Sequence, residues 1–417
     1  MGALKQMGNL LKTRLSVFLQ DRFFFLSMIV MVSLVKLFLC AAVPPSFDML
    51  NIVKLVETHA SLGPWIALYP PLYGSSNSTE LQSWLLRPAV TFDLNSWTLS
   101  LLFRLPIFLL DLGTAIVLYF LVGSIGGVVK GRTASLVWFL NPYVFLAAEL
   151  LGVPDIFATF LLVVAIALLI WRRPVMGGLF LGLAVWVKFY AILVLIPVLL
   201  FEHNSGLSWR TKIATSCFGI VGLAGYLFWI APNWYEYVTT YAPVAQPMEF
   251  LGGPTTVNGL TVTLVLFYFL IAVFARGSKN IIDTALPTLL LYFAVSSPAP
   301  QYLIWSMPFM IIDLLLWNRT RSWLFSLFYA LGFAQWFLTS SALLTPSGFS
   351  LILIPLVGGN VITVFLESYS KVLITQIISS AFYACVLVYL LDIVRFWFGS
   401  SLSHGVKQHW EQLSNAS

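Results

Sequence analysis

Ionisable side chains within or beside long apolar runs are the residues of this chain whose types and positions could do chemistry. Desolvation makes such groups costly, so each is read first as a candidate for binding or proton transfer. Asp48 follows the first apolar run directly, in the order Pro44-Pro45-Ser46-Phe47-Asp48. The prolines end that run. Ser46 suits a helix cap and Asp48 falls in the first turn beyond it, where the dipole favours a carboxylate. Phe47, Leu50, Val53 and Leu55-Val56 give this short helix an apolar side, so it is expected on the membrane surface with Asp48 at the boundary. Simple dipole complementation is the alternative role. Arg104 and Asp111 are seven residues apart, hence on one face of the second run. A structural ion pair between them is as good a reading as catalysis. Glu149 and Asp155 flank a turn, Leu150-Leu151-Gly152-Val153-Pro154, and Lys188 sits near the middle of the apolar segment 175–201. Asp313 and Asp392 lie near the ends of runs and carry less weight.

Aromatic and amide groups supply the rest. Gly63-Pro64-Trp65 and Leu68-Tyr69-Pro70-Pro71-Leu72-Tyr73 suggest a rigid, non-helical segment at headgroup depth, or an interfacial anchor. Ser297-Pro298-Ala299-Pro300-Gln301-Tyr302-Leu303-Ile304-Trp305 opens a later run with hydrogen-bonding groups and a stacking face. That set suits a sugar or a phosphate, and equally an interfacial belt. No Asp-rich cluster is present, so no metal cofactor is expected, with weakly held Mg²⁺ or Mn²⁺ left open. Cys40, Cys217 and Cys385 lie in apolar segments without metal or disulfide spacing.

The elements that must position these residues are membrane helices. Of 417 residues 59% are hydrophobic and 9% charged, against about a quarter charged in soluble domains. Apolar runs near the roughly 20 residues a span needs recur from residue 23 to 394. The sequence predicts spans over 23–43, 97–122, 133–150, 155–171, 211–231, 259–275, 281–297, 301–317, 323–343, 350–366 and 372–394. The fold class is therefore an all-α polytopic membrane protein of about 11–13 membrane helices with a long outward first loop, 44–96. The first run is too long for a cleaved leader's core and is read as an uncleaved span. The net charge of +6 comes from Lys and Arg in short loops, the pattern of cytoplasmic loops and not of a nucleic-acid surface.

Segment 175–201 either crosses once or folds as a hairpin of two half-helices. With the basic N-terminal tail in the cytoplasm, Lys130/Arg132 and Arg172/Arg173 also lie inside. Only a hairpin then also places Arg276/Lys279 and Arg319/Arg321 inside, and leaves outside the loop 232–258, which has no Lys or Arg. The hairpin is preferred, with Lys188 near its tip, where interrupted helices line cavities.

Taken together, these pieces resemble the GT-C superfamily of membrane glycosyltransferases that use polyprenyl-phosphate sugars. The resemblance runs over 23–310 and rests on Asp48, Tyr69-Pro70-Pro71-Leu72, Leu105-Pro106 with Asp111, Asn141-Pro142 followed by Asp155, Gly178-Leu179-Phe180-Leu181-Gly182 with Lys188, and Pro300-Gln301-Tyr302-Leu303 with Trp305. Its flavour is that of prokaryotic relatives of the glycolipid-anchor mannosyltransferases. The chain has Gly152-Val153-Pro154-Asp155 where members often show Gly-Gln-x-Asp, and it lacks the paired acids of several branches near Asp48.

The resemblance implies a GT-C-like module over 1–310, variable C-terminal membrane helices over 311–398 and a short polar tail over 399–417. It implies inverting transfer of a sugar, with mannose expected, from a polyprenyl-phosphate donor to a lipid-linked or glycan acceptor hydroxyl on the outer face. Asp48 would be the general base and Asp155 would position acceptor or sugar. Tyr69, Arg87, Arg104, Lys188, Gln301, Tyr302 and Trp305 would bind substrate, a cation beside the lipid phosphate coming from among Lys54, His59, Arg87, Arg104 and Lys188. Partners would be donor, acceptor and membrane lipid, with no nucleic acid. The site of action would be the plasma membrane in a prokaryote or the endoplasmic reticulum in a eukaryote. Two other readings stay open: a non-catalytic GT-C-like subunit of a membrane complex, and a lipid or small-molecule transporter.

Overall fold

A computed structural model describes residues 19–43, 96–150, 152, 154–188, 191–194, 209–230, 282–295, 300–316, 322–339, 377–378 and 380–393. Its elements are α1 (Arg22–Ala42), α2 (Ser96–Gly126), α3 (Val128–Phe139), one α turn (Pro142–Val144) running into a π-helical turn (Phe145–Leu150), α4 (Asp155–Ile170), α5 (Pro174–Val187), α6 (Trp209–Ile230), α7 (Ile282–Val295), a 3₁₀ segment (Pro300–Trp305), α8 (Met307–Leu316) and α9 (Ser322–Thr339). A last helix, α10, covers Ser380–Ile393. The loops 44–95 and 232–258, and the spans expected over 259–275 and 350–366, lie outside the described residues.

The chain is a multi-pass integral membrane protein. Among the described residues, Arg22–Ala42, Ser100–Gly126 and Val128–Leu150 are long and apolar enough to cross a membrane, and shorter apolar helices pack among them. Apolar side chains cover both sides of these helices. Phe23, Leu34 and Phe38 on α1 and Leu391 on α10 are more than 60% exposed, as lipid-facing groups should be.

Local chemistry sets the helix boundaries. Asp21 caps α1 by accepting the Phe23 N–H at 2.8 Å. Asn141 accepts the Val144 N–H at 3.1 Å, with Pro142 supplying the first helical position. Pro174 does the same for α5. The reversal between α2 and α3 needs Gly127, at φ 90°, and the turn before α4 needs Gly152, at φ 73°.

Two ends of the bundle follow from the contacts. At one end Arg132 donates to the carbonyls of Leu19 (2.7 Å) and Gln20 (2.6 Å), and Leu316 of α8 packs on Gly126. Lys130, Arg172 and Arg173 belong to this basic end. At the other, Ser100 donates to the carbonyls of Cys40 (3.0 Å) and Val43 (2.9 Å). The turn before Asp155, Lys188 and the 3₁₀ segment gather there.

Segment 175–201 is interrupted where the sequence suggests. α5 stops at Val187, and Lys188 is extended (φ −151°, ψ 122°). Gly182 lies against Phe218 and Gly222 with backbones in contact, and four residues on Trp186 lies against Gly225. Helices α5 and α6 therefore run in the same direction. The chain between Val194 and Trp209, where a hairpin would return, lies outside the described residues.

Candidate functional site

Two lysines, Lys36 buried and Lys188 partly buried, organise the polar interior. Lys36, on the inward face of α1, reaches Asp111 Oδ2 on α2 at 2.6 Å and Glu149 Oε1 on the π-helical turn at 2.7 Å. Its ammonium sits 4.2 Å from the Phe139 ring centroid. The Cys40 thiol, one turn along α1, approaches the other Glu149 oxygen at 3.7 Å. Asp111 Oδ1 is buried and has no hydrogen-bond partner among the described residues. The π turn explains how Glu149 gets there, because the wider winding shifts the face that the last residues of a helix present.

The second lysine begins where α5 ends. Its N–H closes the helix onto the Ala184 carbonyl at 2.9 Å, and its side chain forms an ion pair with Asp155, the first residue of α4. The indole N–H of Trp305, at the end of the 3₁₀ segment, donates to the same Asp155 oxygen at 3.0 Å. The Lys188 ammonium lies 5.4 Å from the Trp305 ring centroid. Three chain segments distant in sequence thus converge on one carboxylate. Lys188 keeps 13% of its side chain accessible against 3% for Asp155. Next to this cluster, the Tyr143 N–H donates to Tyr329 Oη at 2.8 Å, and Tyr329 Oη donates to Asn141.

Arg104 is fully buried. It donates to the carbonyls of Cys40 (2.7 Å), Val43 (2.6 Å) and Leu150 (2.6 and 3.2 Å) and to the Ser100 hydroxyl.

Asp155, Lys188 and Trp305 are brought together. Gln301 and Tyr302 lie on the 3₁₀ segment that carries Trp305, their side chains outside the described residues. Asp48, Tyr69 and Arg87, with Lys54 and His59, also lie outside them. Arg104 stands apart from the Asp155 cluster in its partners. One pairing suggested by spacing is corrected: Arg104 does not pair with Asp111, which Lys36 occupies, but donates to carbonyl and hydroxyl oxygens. Sequence reasoning missed Lys36; its signal was a lone cation in the middle of the first span, a position that has no favourable place in lipid.

Residues 79–232, a little over a third of the chain, match the family model of the GPI transamidase subunit PIG-U. No curated protein matches the sequence. Among solved structures, the chain is similar to ArnT from Cupriavidus metallidurans, determined bound to undecaprenyl phosphate. The TM-score is 0.50 and the identity 15%, with 90% of this chain and 78% of ArnT covered. At that identity the likeness shows the fold alone: a polytopic, helical membrane bundle like that of ArnT.

Proposed function

We propose that the protein is an inverting glycosyltransferase that takes its sugar, mannose by our reading, from a polyprenyl-phosphate donor. The observation that carries this is the convergence of Lys188, Asp155 and Trp305 at the non-basic end of a bundle whose fold is similar to ArnT. A cation at a helix interruption, partly accessible and oriented by a carboxylate and an indole, suits a lipid phosphate at the membrane boundary. The Trp305 face suits a sugar ring.

In the reaction, the Asp48 carboxylate takes the proton from the acceptor hydroxyl. The acceptor oxygen forms its bond to the anomeric carbon from the face opposite the phosphate. The bond from that carbon to the phosphate oxygen breaks, and polyprenyl phosphate leaves with the electron pair. Lys188 offsets the charge that develops on the leaving phosphate, in a site where little water competes. Asp155 holds Lys188 in place, and Gln301, Tyr302, Tyr69 and Arg87 complete the surface for sugar and acceptor. The donor, a lipid-linked or glycan acceptor and membrane lipid are the partners.

The match to PIG-U over 79–232 favours a second reading, a non-catalytic subunit of a membrane complex. One experiment separates them. Purified protein is offered radiolabelled polyprenyl-phosphate sugars with membrane acceptors. Transfer that depends on Asp48 supports the enzyme; absence of transfer with every donor, together with full biological function of Asp48→Asn, supports the subunit.

A further inference from the structure

We propose that Arg104 is a positioning residue that clamps two helix ends and so sets where the chain leaves the membrane toward Asp48 and Asp155. The inference rests on the proposed glycosyl transfer for what the positioning achieves.

The last carbonyls of a helix have no partner within it, and in a dry interior each needs a donor from elsewhere. Cys40 and Val43 supply such carbonyls at the end of α1, and Leu150 supplies one at the end of the π turn. One guanidinium donates to all three, with Ser100 bridging the first two. Its positive charge also faces the negative end of both helices. The two segments it joins are 107 residues apart in sequence, 43 against 150. From each anchored carbonyl the chain runs five residues to a candidate site carboxylate, Val43 to Asp48 and Leu150 to Asp155. Fixing Val43 and Leu150 therefore fixes the two points from which the chain continues toward these carboxylates. Full burial and the three helix-end carbonyls it holds give Arg104 a role different from that of Lys188. Both are cations, but only Lys188 stands at an accessible helix break.

The fork is the testable feature. Arg bridges acceptors on different segments with a planar set of donors, whereas Lys offers a point charge. A phosphate-binding role would be largely rescued by Arg104→Lys; a clamp would not. Transfer kinetics and hydrogen exchange are measured on full-length protein, as wild type, Arg104→Lys, Arg104→Gln and Ser100→Ala. Both Arg104 variants are expected to lower turnover at least about tenfold, as a displaced catalytic group does, with donor KM within about threefold of wild type. Exchange is expected to rise in the peptides covering 38–48 and 150–156, with smaller changes of the same kind in Ser100→Ala. A raised donor KM that Lys restores would overturn the clamp, as would unchanged exchange in those peptides. Should the Arg104 variants unfold as a whole, Ser100→Ala decides on the same two readouts. A wild type inactive with every donor, yet with exchange that rises locally in the variants, sinks the transferase reading and leaves the clamp standing. An active wild type with variants unchanged in both readouts does the reverse.

Discussion

Lys36 and Lys188 are both lysines paired with carboxylates inside the bundle, and they stand in opposite situations. Lys36 lies within a continuous helix, is sealed on every side, and faces two carboxylates and an aromatic ring. Lys188 lies at the point where a helix stops, faces one carboxylate among the described residues, and keeps part of its side chain accessible. The first arrangement ties α1, α2 and the π turn together. The second leaves a cation that an arriving anion can reach. On our proposal, backbone interruption and access, and not burial of a charge alone, mark the site.

The largest effect should come from breaking the sealed cluster. Lys36→Met leaves two buried carboxylates without their cation, a change that typically costs about 3–5 kcal/mol. Thermal unfolding in detergent should show a strongly destabilised protein, with much of the loss recovered in Lys36→Met/Asp111→Asn/Glu149→Gln. A Lys36→Met protein as stable as wild type would mean that the cluster does not hold the helices.

The residues proposed for transfer should respond in activity instead of stability. Asp48→Asn keeps size and most hydrogen bonding but takes up no proton, so transfer should fall at least about 100-fold while abundance and donor binding persist. Normal turnover in Asp48→Asn with a matched loss in Asp155→Asn would move the base to the other carboxylate. A smaller effect is expected for Trp305→Phe, which keeps the ring and removes one hydrogen bond to a carboxylate. Such bonds contribute about 1.5–3 kcal/mol, and a roughly tenfold rise in donor KM is the expected readout. An unchanged KM would leave Trp305 as an interfacial aromatic only.

The sequence reading follows the fold closely because lipid leaves the chain few choices. Apolar runs between basic turns become helices, and the expected spans 23–43, 155–171 and 301–317 differ from α1, α4 and the 3₁₀ segment with α8 by a residue or so. The break near Lys188 was legible for the same reason, since a lysine there fits poorly in an unbroken span. Partners were not legible. The seven-residue spacing of Arg104 and Asp111 says that they share a face of α2; it does not say which neighbouring helix supplies each partner. The Lys36 cluster was not legible because its partners lie 75 and 113 residues away. The π turn that turns Glu149 toward it has no signature in local composition.

The central claim is that the Lys188–Asp155–Trp305 cluster receives the lipid phosphate, and binding of undecaprenyl phosphate to the purified protein tests it most directly. The variant of choice is Lys188→Met/Asp155→Asn, which removes both charges together, strands neither, and leaves an oxygen for the Trp305 N–H. The account predicts a folded protein, unchanged in thermal stability within a few degrees, whose affinity for undecaprenyl phosphate falls at least about tenfold, the loss expected for a charge-assisted contact of 1.5 kcal/mol or more. The same affinity in a folded double variant would contradict it.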